Sequence, residues 1–245
     1  MLYRLLILSP LFLPASLVTL LLPQVVSLRY FHPPMTAYVF ERSWERLGAF
    51  RMEWRPLAQM PEALKDAVVA AEDANFYRHH GVDFKEMRAS WKKNQRKKKY
   101  ARGFSTITMQ LARNLFLTPH KNILRKGLEI AIALEMEAVL PKDRILELYL
   151  NLIEWGDGVY GAESAAEHYF KRPVASLTPD ESAFLAAIIP SPRKWGRWPP
   201  GPYVRNRQAV LLSRIGARSA RGAVPETAPA EPIPDLPNDS DDGGI

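Results

Sequence analysis

The first 29 residues contain the feature that most restricts how this chain folds, a long run without charge. Between Arg4 and Arg29 lie 24 consecutive uncharged residues, most of them apolar. As an α-helix this run is about 36 Å long, whereas the hydrocarbon core of a bilayer is about 30 Å thick. Three prolines interrupt the run, and a membrane helix tolerates proline better than a water-exposed helix does. The sequence therefore predicts an N-terminal transmembrane helix over residues 1–29.

Two other interpretations of this run remain open from the sequence. A secretory signal peptide would have a shorter apolar core and a cleavage site between small residues, and no convincing site is present. A buried helix of a soluble core rarely lacks a polar face over this length. One arginine flanks each side of the run, which leaves the orientation in a membrane poorly specified.

Charge is distributed unevenly between the body of the chain and its C-terminus. Residues 223–245 hold six of the 26 acidic residues and none of the 33 lysines and arginines, so the rest carries 33 basic and 20 acidic residues, a net of +13. A basic body favours a membrane surface, a phosphorylated ligand or a nucleic acid as partner, and a merely soluble basic surface is the alternative. The acidic, proline-rich tail, 219–245, is predicted to be disordered. Because the chain has no cysteine, disulfides and cysteine-based catalytic or metal sites are excluded.

Helical patterns dominate the middle of the chain. Residues 30–60 are mixed and are predicted to form a membrane-proximal connector, and a folded domain is predicted over 61–218. Within this domain apolar residues recur every three or four positions in several segments, one of which is the stripe of Ile145, Leu148, Tyr149 and Leu152. Residues 178–181 have the sequence of a capping box at a helix start. No clear run of alternating apolar and polar residues indicates strands, so the domain is predicted to be mainly α.

The first segment with catalytic potential runs from Glu72 to Gly81 and follows an apolar helix predicted over Ala63–Ala71. A carboxylate at the end of such a helix is expected to be partly desolvated, which would raise the pKa of Glu72 towards that of a working general base. A solvated helix end is the alternative. His79 and His80 are adjacent and have no Cys or His-x-x-x-His partner, so a zinc site is not predicted.

A run rich in lysine and arginine follows at residues 91–102. We predict a solvated loop close to anionic lipid headgroups, in keeping with the predicted anchor. A nucleic-acid-binding arm is the alternative, although no nucleic-acid module accompanies the run.

Hydroxyl side chains cluster at residues 105–108, where a helix carrying Ile107, Leu111 and Leu115 is predicted to start. Ser105 is the predicted N-cap of this helix. Free N–H groups at a helix start also favour phosphate groups or sugar hydroxyls. The segment is therefore a candidate binding site as well as a candidate cap.

Two cations precede a carboxylate at the spacing of one helical turn. Arg125 lies four residues and Lys126 three residues before Glu129, so a helix would place all three on one face. The cations would keep Glu129 ionised and would be able to hold a diphosphate beside it. The alternative is a surface ion pair contributing roughly a few tenths of a kcal/mol.

These segments, in this order, resemble the glycosyltransferase family 51 domain of peptidoglycan synthases over roughly residues 40–218. The pattern E-D-x-x-F-x-x-H-x-G matches 72–81, G-x-S-T-I-T-x-Q-L-x-[KR]-N matches 103–114, R-K-x-x-E matches 125–129 and K-x-x-I-L-E-x-Y-L-N matches 142–151. Many relatives have Gly, Gln and Lys where this chain has Phe104, Met109 and Arg113, and the missing amide at Met109 argues against a sugar contact there. Few residues follow Arg218, so the resemblance is to the monofunctional form without a transpeptidase domain.

The resemblance implies a lysozyme-like, α-rich fold and an inverting enzyme that polymerises lipid II into glycan strands with release of undecaprenyl diphosphate. Glu72 would be the general base and Glu129 a second catalytic carboxylate, with a divalent cation, Mg²⁺ or Mn²⁺, at Glu129. The implied substrate-binding residues are Asp73, Phe76, His79, Ser105, Thr106, Gln110, Arg113, Asn114, Arg125 and Lys126.

The resemblance also implies partners and a location. The expected partners are lipid II, the lipid-linked glycan chain, the membrane, and other cell-wall synthesis and division proteins, with no nucleic acid. The expected location is the cytoplasmic (inner) membrane, crossed once, with the catalytic domain on the periplasmic side.

Three other classes of protein remain open from the sequence. A lytic peptidoglycan hydrolase would need a catalytic acid, but not the Ser-Thr-Ile-Thr segment, the cations around Glu129 or an anchor. A non-catalytic scaffold would be expected to have lost Glu72 and Glu129, and both are present. A nucleic-acid-binding protein would show salt-sensitive DNA affinity and no sugar chemistry.

Overall fold

The computed structural model describes residues 21–34, 36–37, 39–40, 51–97, 105–117 and 123–220. The helices in chain order are α1 (Glu62–Glu72), α2 (Phe84–Lys97), α3 (Ile107–Phe116), α4 (Ile123–Val139), α5 (Lys142–Leu152), α6 (Ala162–Phe170), α7 (Pro179–Ile188), α8 (Pro192–Trp195) and α9 (Pro202–Ala220). The strands are β1 (Arg51–Met52), β2 (Glu154–Gly156) and β3 (Val159–Tyr160). The prediction of a mainly α domain is confirmed.

Local sequence signals account for several helix starts. The hydroxyl of Thr178 accepts a hydrogen bond from the N–H of Glu181, and the Glu181 carboxylate accepts one from the N–H of Thr178. This reciprocal pair confirms the predicted capping box of α7. Pro61 and Pro141 occupy the N-cap positions of α1 and α5, so both helices begin directly after a proline.

The N-cap of α3 is Thr106, and the prediction of Ser105 at this position is wrong. The Thr106 oxygen accepts a hydrogen bond from the N–H of Met109 (3.2 Å), and its hydroxyl donates to the carbonyl oxygen of Gly81 (2.6 Å). Adjacent Ser and Thr residues offer two equivalent caps to local reasoning. The bond to Gly81, 25 residues earlier in the chain, exists only in the folded molecule and distinguishes Thr106 from its neighbour.

Helix α2 extends into the basic run, so the prediction of a loop is wrong for residues 91–97. The helix starts after Asp83, whose carboxylate accepts hydrogen bonds from the N–H groups of Lys85 and Glu86 at 3.0 Å each. Lysine, arginine and glutamine are strong helix formers, so a capped helix can continue through them. Residues 98–104 lie outside the described part of the chain.

Two groups of helices build one continuous core. Helix α1 packs against α7 and α9, and α3 packs against α4 and α5. The apolar stripe predicted for α5 is buried, with Ile145, Leu148 and Leu152 facing the interior. The C-terminus of α1 and the N-terminus of α3 belong to different groups, and the site described below lies where they meet.

A small three-stranded sheet, in the order β1-β3-β2, was not predicted. β1 runs parallel to β3 with Arg51 opposite Val159, and β2 runs antiparallel to β3. Strands of two or three residues are too short to show an alternating pattern in the sequence. Through β1, the predicted connector contributes to the folded body of the protein.

The segment before the domain is bound to its surface. Residues 21–27 are helical, and Val25 and Leu28 are buried. Arg144 of α5 donates hydrogen bonds to the carbonyl oxygens of Leu28 (2.8 Å) and Phe31 (2.9 Å). Among the described residues, no helix has both the length and the apolar character needed to cross a membrane. Residues 1–20 of the predicted anchor and 221–245 of the predicted tail lie outside those residues.

Candidate active site

Glu72 is the last residue of α1, and its carboxylate is held from two directions. The side chain is 8% exposed. One oxygen, Oε2, accepts a hydrogen bond from Nε2 of Gln110 on α3 (3.0 Å). The other, Oε1, lies 3.4 Å from a guanidinium nitrogen of Arg207 on α9. The predicted base is therefore a mostly buried carboxylate with a neutral donor on one oxygen and a cation on the other.

Asp73, the next residue, ties the end of α1 to the start of α3. Its carboxylate accepts hydrogen bonds from the N–H of Ile107 (3.0 Å) and from Nε2 of His79 (2.9 Å). Asp73 is buried. A buried carboxylate needs such partners, and their positions bring Glu72 next to the hydroxyl cluster of α3.

Several residues predicted to bind substrate lie inside the protein. Phe76 has no exposed surface and Thr106 is 1% exposed, while the side chain of His79 is 9% exposed. Lys142 lies over the Phe76 ring, with Nζ 4.4 Å from the ring centroid. These side chains belong to the packed interior next to the site, and their direct contact with substrate stays a prediction.

Glu129 is buried between two cations on α4. It is 1% exposed, and its oxygens pair separately with a guanidinium nitrogen of Arg125 and with Nζ of Lys126, the latter at 2.8 Å. The predicted shared face is confirmed, and the alternative of a surface ion pair is wrong because Glu129 is buried. Lys126 remains 38% exposed, so its ammonium group can also reach a ligand.

A continuous set of contacts joins the two predicted catalytic carboxylates. Gln110, which donates to Glu72, also lies 3.4 Å from the carbonyl oxygen of Ser105. Nζ of Lys126 lies 3.4 Å from the hydroxyl oxygen of Ser105 and 2.8 Å from Glu129. Residues from three of the sequence motifs thus come together around the start of α3.

Arg113 and Asn114 lie on the same helix, partly buried. Within the part of the chain that the structure describes, Arg113 has no carboxylate partner, so its positive charge is uncommitted. Met109, in contrast, has no exposed surface and packs in the core. The departure from Gln at this position therefore removes no polar group from the surface of the site. Phe104 lies outside the described residues.

Two functional candidates escaped the sequence analysis. The hydroxyl of Tyr149 donates to Oε1 of Gln110 (2.9 Å), and Arg207 contacts Glu72. The sequence marks Tyr149 only as a member of an apolar helix stripe and of the motif over 142–151. Arg207 lies at a core-facing position between Val204 and Leu211. A cation at an otherwise apolar helix position is unusual, and this was the one sequence feature that could have indicated its role.

The Tyr149 hydroxyl keeps its proton throughout the ordinary pH range. Burial raises its pKa well above the usual value, the negative charges of Glu72 and Asp73 raise it further, and the positive charge of Arg113 opposes them. A protonated hydroxyl can act as the donor in its bond to Gln110.

Comparison with known proteins gives a consistent result. A family model described as Transglycosylase matches residues 41–216. The biosynthetic peptidoglycan transglycosylase of Nitrosomonas eutropha is 42% identical over 196 residues, which cover 78% of this chain and 80% of that protein. Proteins of the same name from Rhodospirillum centenum and Stutzerimonas stutzeri are 42% and 43% identical, covering 82% and 78% of this chain and 87% and 81% of the relatives.

Proposed function

This chain belongs to the transglycosylase family, and on that premise we propose how its residues polymerise lipid II. The chain is a peptidoglycan glycosyltransferase that builds glycan strands in cell-wall synthesis. The residue assignment rests on the contacts that run from Glu72 through Gln110, Ser105 and Lys126 to Glu129. They support one site with a base at one end and a cation cluster at the other.

Glu72 acts as the general base. The 4-hydroxyl of the acceptor GlcNAc gives its proton to the Glu72 carboxylate as its oxygen attacks the anomeric carbon of the lipid-linked glycan chain. The bond from that carbon to the diphosphate oxygen breaks in the same step, which inverts the configuration. The position of Glu72 supports this role, because its carboxylate lies where α1 meets α3, accepts a hydrogen bond from Gln110 and is mostly shielded from bulk water.

The cations stabilise the leaving group. Undecaprenyl diphosphate departs with negative charge on its oxygens, and fixed cations lower the energy of that charge. Arg113 supplies a charge with no carboxylate partner among the described residues, and Lys126 is exposed enough to reach a ligand. Glu129 holds Lys126 and Arg125 in position from its buried site.

A divalent cation at Glu129 does not fit the donors as they lie. Arg125 and Lys126 pair with different oxygens of the carboxylate, so a metal ion would displace one cation and lie beside the other. No group of three His, Asp or Glu side chains in the described ranges has the spacing of a metal site. We therefore derive no step through Mg²⁺ or Mn²⁺. If no metal ion takes part, polymerisation should persist after treatment with a chelator.

The membrane anchor, the lysozyme-like arrangement and the periplasmic location are part of this proposal. The uncharged run between Arg4 and Arg29 supports the anchor. Both substrates carry long lipids, so an enzyme held at the bilayer meets them without extracting them. Other cell-wall synthesis and division proteins remain proposed partners.

The test is polymerisation of purified lipid II by the full-length protein, read as glycan chains on a gel. We expect long chains from the wild type and none from Glu72→Gln. Glu62→Gln, at the exposed start of the same helix, is the matched control and should remain active. Glu129→Gln should be strongly impaired, and Glu135→Gln on the same helix α4 should not.

Two outcomes would overturn the proposal, and a third would overturn only the assignment of the base. An inactive wild type with an intact fold would favour a scaffold. Shortening of preformed glycan would indicate a hydrolase. Full activity of Glu72→Gln would remove the base assignment while leaving the polymerase intact.

A further inference from the structure

The orientation of the Glu72 carboxylate depends on two residues outside the assigned site. Arg207 lies 3.4 Å from Oε1, and its side chain is 1% exposed. Gln110 donates to Oε2 at 3.0 Å, and Tyr149 donates in turn to the amide oxygen of Gln110 at 2.9 Å. A carboxylate engaged at both oxygens is restricted in rotation about its last side-chain bond.

Glu72 and Tyr149 together decide which end of the Gln110 amide faces Glu72. A flipped amide would bring its oxygen against the Glu72 carboxylate, placing two acceptors face to face. The Tyr149 hydroxyl donates to the amide oxygen. It stays protonated because its pKa is raised by burial and by the charges of Glu72 and Asp73. The unflipped amide, with its N–H₂ towards Glu72, is therefore the favoured arrangement.

Burying Arg207 costs more free energy than burying an apolar residue at the same position of α9 would. Arg207 shares the inner face of α9 with the buried residues Val204 and Leu211, where an apolar side chain of similar size would also pack. Burying a guanidinium carries a large desolvation penalty unless a charge or several acceptors compensate for it. The Glu72 carboxylate is one such partner, and it is the proposed base.

We propose that Arg207 and Tyr149 are positioning residues that hold the Glu72 carboxylate in one orientation from two sides. The inference rests on the proposed function, in which Glu72 accepts the proton of the acceptor hydroxyl. Arg207 acts directly on one oxygen, and Tyr149 acts on the other through Gln110. Arg207 on α9 is the cation in contact with Glu72. The charges of Glu72, Asp73 and Arg113 all act on the Tyr149 hydroxyl.

The test compares kcat and KM for lipid II in matched pairs of full-length variants. Arg207→Met is paired with Arg214→Met, because Arg214 also joins α9 to α1, at the carbonyl oxygen of Ala70 (3.2 Å). Tyr149→Phe is paired with Tyr169→Phe, which loses a buried hydroxyl bond to the carbonyl oxygen of Trp155 (2.8 Å). Thermal midpoints are measured for all four.

We expect kcat to fall about 100-fold in Arg207→Met, because misplacement of a reacting group by about 1 Å costs that much. Tyr149→Phe should lose about tenfold in kcat, the equivalent of one hydrogen bond. KM should change little in either variant, and Arg207→Lys should recover part of the lost kcat. Arg214→Met and Tyr169→Phe should lose thermal stability without a selective loss of kcat.

Equal losses of kcat in each pair, in proportion to the losses of stability, would overturn the inference. If Arg207→Met does not fold, the same comparison of the loss of kcat with the loss of stability is made for Arg207→Lys and Tyr149→Phe. Full activity of Glu72→Gln would instead refute the proposed base, so the two failures are distinguishable.

Discussion

The carboxylate of Asp73 accepts a hydrogen bond from the backbone N–H of Ile107, which lies 34 residues further along the chain. This bond joins the last turn of α1 to the first turn of α3. The same carboxylate binds His79. The proposed base, Glu72, and the hydroxyl cluster at the start of α3 are therefore held at one junction.

Replacing Asp73 tests how much this junction contributes. Asp73→Ala leaves the buried N–H of Ile107 and Nε2 of His79 without their acceptor, and we expect a loss of about 2–4 kcal/mol in the free energy of unfolding. Asp73→Asn keeps an oxygen for Ile107 and should lose roughly half as much. Chemical denaturation measures both, and equal stability of the wild type and Asp73→Ala would contradict this account.

Arg113 and Arg125 should separate activity from stability. Arg113→Met removes a charge that has no carboxylate partner among the described residues, so kcat/KM should fall about 10- to 100-fold with little change in stability. Arg125→Met removes one of two cations from buried Glu129 and should cost about 1–3 kcal/mol. Arg172→Met, at an exposed ion pair with Glu181, is the control. A destabilised but fully active Arg113→Met would reverse this assignment.

Asp83 predicts a pH dependence of stability. Burial alone would raise its pKa, but hydrogen bonds from the N–H of Glu86 and the amide of Asn75, with further smaller effects, lower it below the ordinary value. Since the folded-state pKa is below the unfolded one, the stabilisation is present above the unfolded-state pKa and is lost as the pH falls through the folded-state pKa.

The corresponding variant is Asp83→Ala. It should be less stable than the wild type by about 1–2 kcal/mol at neutral pH, because α2 loses its cap. The difference should shrink below about pH 4, where the wild-type carboxylate becomes protonated. Asp83→Asn keeps an accepting oxygen and should lose mainly the pH-dependent part. A difference that is constant from neutral to acid pH would argue against the ionised cap.

Two glycines predict opposite effects of the same substitution. Gly81 has a φ of 83°, and an added Cβ would lie 2.9 Å from the carbonyl oxygen of Ala133, so Gly81→Ala should destabilise by about 2 kcal/mol or more. Gly127 lies within α4 and an added Cβ would meet nothing within 4 Å. Gly127→Ala should stabilise by about 0.5–1 kcal/mol. Thermal unfolding of both variants measures the signs, and a destabilised Gly127→Ala would mean that α4 is constrained in another way.

Much of the helical structure could be read from local signals. The capping box of Thr178 and Glu181 is present as predicted, and the buried stripe of α5 follows the predicted spacing. Local reasoning failed where two equivalent choices stood side by side, as with Ser105 and Thr106. It also failed for the basic run. A run of lysines and arginines taken by itself is typical of a loop, but here the helix that is capped at Asp83 continues through it to Lys97.

The sequence by itself determined what depends on positions a few residues apart. Arg125, Lys126 and Glu129 share a face because a helix returns to the same side every three to four residues. The motifs identified the family for a similar reason, because each is a short pattern of spacings and the four follow one another in a fixed order along the chain. Only the tertiary structure decided that Arg207 reaches Glu72, that Tyr149 orients Gln110 and that Met109 belongs to the core. These contacts join residues that are far apart in the chain, and their geometry follows from how whole helices pack, which local spacing does not specify.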